Sequence, residues 1–194
     1  MTQSKLIRRT LTDFFRDLLQ GAMRTHQVES SEDSEFYLVK LLERFAHPNP
    51  DWNSRPLAIE YLESFHSPTV HRYAKLRHVG DTSLFLSGIF MDNLERQIVP
   101  TSYYISLGQL AYQQLAGLGG AATGSTGSLF AEMAERFVDF VRVLTEISFE
   151  QLFHGDAQTV RVYTRWLRTR SKQDAEWLLR RGMIPVDPGS RSRH

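Results

Sequence analysis

Three groups of residues in this chain have types and spacings that could do chemistry. The first is Glu63-Ser64-Phe65-His66. A Glu-x-x-His pair puts a carboxylate and an imidazole on one helix face, as the ligands of di-metal carboxylate bundles are placed. Such a centre needs a second copy of the pair and two further glutamates. No second Glu-x-x-His occurs; Glu43 with His47 and Glu150 with His154 are spaced by four instead and read as intrahelical pairs. A metal on Glu63 and His66 is thus the disfavoured reading, and no cofactor is expected. His26, His47, His66 and His154 each fall near the expected end of a helix, where an imidazole can meet orphan carbonyls and the negative end of the dipole. His71 and His78 sit seven apart among Arg72, Lys75 and Arg77. They read as a solvated basic face before an anion site or a haem edge.

The second group is the arginine-rich C-terminal region. Arg161, Arg165, Arg168, Arg170 and Lys172 have Trp166 among them, and few acidic residues oppose them. Spacings of four and three put Arg161, Arg165 and Arg168 on one face, where they could track phosphates while Trp166 stacks on a base. The competing reading makes Trp166 part of the core, covered by arginine stems. The third group is a set of small and polar residues in the most apolar part of the chain. On a continuous helix Gly80, Ser83 and Ser87 share one narrow face, beside Asp81, and Gly108 with Ala111 could match it from the next helix. With Tyr104 these residues could line a pocket; tight packing is the favoured alternative. Asp81 is expected to cap a helix.

Other chemistry is excluded by motif. There is no Gly-x-Ser-x-Gly elbow, no His-Glu-x-x-His and no Gly-x-Gly-x-x-Gly after a strand. The run Gly117 to Ser128 is rich in glycine but lacks the Lys-Ser/Thr ending of a phosphate loop. With no cysteine, there is no disulfide framework, thiolate metal site or cysteine nucleophile. A net charge of +1 exerts no global pull on nucleic acid or anionic membranes. The N-terminus does not read as a signal peptide, and the charge-free stretch Gln97 to Ala131 is too polar to span a membrane. Membrane insertion is not expected.

These groups must be positioned by helices. Ile7, Leu11, Phe14, Phe15, Leu18, Leu19, Ala22 and Met23 repeat at helical spacing. A second helix is expected after Ser31, burying Phe36, Val39, Leu42 and Phe45 and stopping before Pro48. Pro56 opens a short third helix with Leu57, Ile59, Tyr61, Leu62 and Phe65, and Pro68 opens the central segment. At Gly80-Asp81 two readings compete, a helix end followed by a new cap or one continuous helix, and the break is favoured. Pro100 and Thr101 start a helix through Leu115. A long helix is expected from Ser128 through Ile147, then one capped by Asp156, then a last helix with a capping box at Ser171 and Asp174, ending at Gly182.

The expected fold is all-α, a single-domain bundle of about seven to eight helices around a central, nearly charge-free helix pair. It spans residues 1–184, with a flexible Gly/Ser/Thr/Ala loop at 117–128 and a tail at 185–194. The expected function is a non-catalytic cytoplasmic binding module, an adaptor or regulatory subunit docking a protein partner. The alternatives are nucleic-acid or ribosome binding through the arginine-rich helices, and a metal or cofactor bundle. Self-association is left open.

Overall fold

The computed structural model describes residues 10–45, 55–89, 100–118, 124–148, 162, 165, 166 and 169–180. Among them stand eight helices and no strand: α1 (Leu11–His26), α2 (Glu32–Phe45), α3 (Leu57–Ser64), α4 (Thr69–Ile89), α5 (Thr101–Leu118), α6 (Gly124–Glu135), α7 (Phe137–Ser148) and α8 (Lys172–Arg180). The chain is an all-α bundle. α1 starts at a complete capping box: Asp13 N–H donates to Thr10 Oγ1 (3.1 Å), while Thr10 N–H donates to Asp13 Oδ2 (3.0 Å). It ends where Gln27 turns left-handed, at φ 54°. The stripe Leu11, Phe14, Phe15, Leu19, Ala22 and Met23 is buried, as its spacing requires.

α4 runs unbroken through Gly80-Asp81, so the favoured helix break does not occur. The glycine is there for another reason. A Cβ on Gly80 would stand 2.5 Å from Cε1 of Tyr112, so the missing side chain makes room for a ring from α5. From Val79 to Ile89 every residue of α4 is buried, matching a segment apolar nearly all round. α5 and α7 pack on α4, α3 covers another side of it, α6 lies on α5, and α1 packs on α2 and α7.

Three other expectations shift. Phe36 lies outward on α2 under the ammonium of Lys40, and the helix buries Leu38, Val39, Leu41 and Leu42. The helix expected from Ser128 begins at Gly124 and is interrupted at Arg136, which separates α6 from α7. Together with α5 reaching Leu118, this makes both ends of the 117–128 connector helical; 119–123 lie outside the described residues. So do Arg161, Arg168, His47, His154, the cap at Asp156, the helix end at Gly182 and the tail 185–194.

Candidate functional site

The centre of the bundle holds a carboxylate. Asp81 is 0% exposed, on the part of α4 that faces α2 and α5. A buried carboxylate must be matched by donors or it opposes folding. Four are supplied. Tyr37 of α2 and Tyr112 of α5 each donate a hydroxyl to Oδ1 at 2.6 Å. Arg44 Nη2 reaches Oδ2 at 2.5 Å, and Arg77 Nε lies 3.6 Å from the same oxygen while donating to the Tyr37 hydroxyl at 3.2 Å. Burial first, and then the charge of Asp81, push both phenols above the ordinary tyrosine value, so they stay protonated donors. The rings are fixed by neighbours. Tyr37 meets Tyr112 and Phe130 edge-on, and Tyr112 stacks on Phe130. The arrangement ties α2, α4 and α5 together through one oxygen pair.

The small-residue face closes on this centre. Ser83 and Gly108 meet directly, with the Phe137 ring filling the space a Gly108 side chain would take. Gly88 admits Leu144 of α7 in the same way. Ser87 donates to the Ser83 carbonyl at 2.8 Å. Gly80, Asp81, Ser83, Ser87 and Gly108 are thus brought together as packing surface. Tyr104 lies half-buried on α5, edge-on to Tyr103. The hydroxyls of Thr82 and Ser83 are buried with no hydrogen-bond partner.

At the C-terminal end, Trp166 is buried, and the Arg170 guanidinium covers its ring at 4.7 Å. Arg165 is bound at two points by Asp174, Nε to Oδ2 at 2.8 Å and Nη2 to Oδ1 at 2.5 Å. The hydrogen bonds from Arg165 hold the Asp174 carboxyl below the usual range. Of the expected capping box, the Ser171 hydroxyl accepts from the Asp174 N–H, and the aspartate's own carboxylate turns to Arg165. Lys172 opens α8 and is exposed. In this geometry Arg165 is paired with Asp174, and Trp166 belongs to the core under Arg170.

Glu63 is held by cations: Arg55 Nη2 at 2.6 Å and Lys75 Nζ at 2.9 Å. Their hydrogen bonds lower its pKa. His66 lies exposed just beyond α3. Among the described residues no three His, Asp or Glu side chains gather as a metal would need. His78 pairs with Glu60 at 2.8 Å.

Two features escaped the sequence. Glu132 of α6 caps α2 from outside: Oε1 accepts from the Ser31 N–H (2.9 Å), and Oε2 from the hydroxyls of Ser31 (2.5 Å) and Ser34 (2.8 Å). The second is a row of apolar side chains on the outer side of α3. Ile59 is 46%, Leu62 59% and Phe65 42% exposed, spaced by three so that neighbours adjoin. The helix buries Leu57 and Ser64 on its other side and ties its flank to α4 through Glu60 and Glu63. The sequence places all three on the third helix without saying which way they face. An open cleft of about 750 Å³ lies between the end of α1 and the start of α2. Arg24, Glu29 and Glu35 share its walls, so it has no single sign of charge. Among the described residues no helix is long and apolar enough to cross a membrane. Set against protein-family models, curated proteins and solved structures, the chain matches none of them.

Proposed function

We propose that the protein is a non-catalytic cytoplasmic binding module that docks a protein partner on the outer face of α3. The observation that carries this reading is the row Ile59, Leu62 and Phe65. Three large apolar side chains about half in water, on a short helix already anchored by its other side, are not needed to close the core. Their combined area is on the order of the few hundred Å² at which an apolar patch on a monomer marks an interaction site. The rim supports a choice of partner. Glu60 and Glu63 are spent on His78, Arg55 and Lys75, and Arg55 keeps 59% of its side chain exposed. The border is therefore neutral to basic, and the partner that complements it is an apolar-striped helix edged with Asp and Glu.

A photoreactive residue placed at Leu62, expressed in the source cell, tests this. A control at Gln173, exposed on α8, sets the background. The expected result is a discrete protein adduct from position 62 only, whose cross-linked peptide has helical apolar spacing with acidic flanks. Equal adducts from both positions, none from either, or a partner segment that is basic would overturn the reading.

A further inference from the structure

The buried carboxylate needs one cation, and it has two. Arg44 and Arg77 come from different helices and converge on the same oxygen, Oδ2 of Asp81. Their nearer nitrogens can be no further apart than those two distances laid end to end. Both side chains remain well exposed, 45% for Arg44 and 43% for Arg77, although the group they share is completely buried. Each guanidinium also lies over a ring. Arg44 lies 5.1 Å from the centre of Phe45, which stacks on Phe85 at 4.0 Å, and Arg77 lies 5.4 Å from the centre of Tyr37. The tether and the ring fix both forks in place before any ligand arrives, so little side-chain freedom remains to be lost on binding.

Their donors are not used up. A guanidinium carries five N–H groups. Arg44 commits Nη2 to Asp81, and Arg77 commits Nε to Tyr37 and Asp81. One carboxylate cancels one of the two charges and leaves a local excess of one, with spare N–H donors on two fixed planar forks. Planar forks match the oxygens of a phosphate in pairs. A tetrahedral dianion has oxygens enough to engage both forks and carries the charge to answer the excess.

We propose that Arg44 and Arg77 form a binding site for a phosphate dianion, free or carried as a monoester, at the surface between α2 and α4. Asp81 serves as the positioning residue that holds the two forks together.

The test uses the full chain, with inorganic phosphate, glycerol phosphate and phosphatidylcholine vesicles with or without phosphatidic acid as probes. Side-chain 15N resonances of arginine in the wild-type protein are followed during titration, with chloride at matched ionic strength as control. The expected result is saturable shifts of the Arg44 and Arg77 signals with a phosphate probe and not with chloride. Arg77→Gln should weaken binding at least tenfold. That variant leaves Asp81 three donors, and circular dichroism checks that it folds. Response to the soluble probes assigns a free ligand; response to phosphatidic acid vesicles alone assigns a lipid-borne monoester. Absence of saturable shifts with every probe, shifts that chloride reproduces, or affinity unchanged in folded Arg77→Gln would overturn the proposal.

Discussion

Asp81 shows how a single charged residue can sit at the middle of an apolar helix. Its oxygens accept from two phenols and meet two guanidiniums, and the partners are 31 to 44 residues away in sequence except for Arg77. Asp81→Ala removes the acceptor and leaves two buried hydroxyls and two arginines without it. The expected loss is about 3 kcal/mol in urea unfolding, the lower end of the range for breaking a buried pair, because the arginines can turn to water. Thr82 makes the opposite case. Its hydroxyl is buried without a partner, and Thr82→Val keeps the shape while removing the unsatisfied group. The expected effect is a gain of about 1 kcal/mol, read in the same unfolding series. A loss of stability there would mean that the hydroxyl has a partner after all.

Among elements, the junction of α2 and α6 joins the edge-on contact of Tyr37 and Phe130 to a polar tie through Glu132. Glu132 fills the N-terminal donors of a helix more than ninety residues distant, through Ser31 and Ser34. Partial burial works against its charge, but the hydrogen bonds from Ser31 and Ser34 outweigh it, and its pKa lies below the ordinary 4.5. A carboxylate depressed in the folded state stabilises fully above its unfolded value and loses that contribution as pH falls through the folded value. Glu132→Gln should therefore be less stable than wild type near neutral pH. The gap should narrow as pH drops from about 6 to about 3, the span over which such a group protonates. A gap independent of pH would remove the electrostatic part of the explanation. Glu63 and Asp174 are shifted in the same direction, so the wild-type acid limb is steeper than Glu132 alone would make it.

For the whole molecule, the fold class was legible because helical periodicity is local. The α1 stripe, the Ser31 and Ser171 caps and the all-round apolar stretch of α4 follow from residues within a few turns of each other. What stayed hidden depends on distant parts of the chain. Gly80 has the sequence appearance of a helix end, yet it answers to the ring of Tyr112. Asp81 has the appearance of a cap, yet its acceptors face two other elements, α2 and α5. Phe36 is expected inward and lies outward, and the outward side of Ile59 and Leu62 is not readable at all, since spacing says which residues share a side but not which side has a neighbour. The candidate site was the least legible part. Of the residues named for it, the set around Asp81 and Trp166 lies in packing, Arg165 and Glu63 stand in ion pairs, Lys172 and His66 are exposed, and Arg161 and Arg168 lie outside the described residues, while the outward row on α3 carries no motif.

The account separates a fold held around Asp81 from an apolar row that folding does not use. Urea unfolding of the double variant Ile59→Ser/Leu62→Asp tests that separation most directly. The unfolding free energy should stay within about 0.5 kcal/mol of wild type, as for surface positions. A loss of about 3 kcal/mol or more, as core truncations give, would place the row in the core and contradict the account.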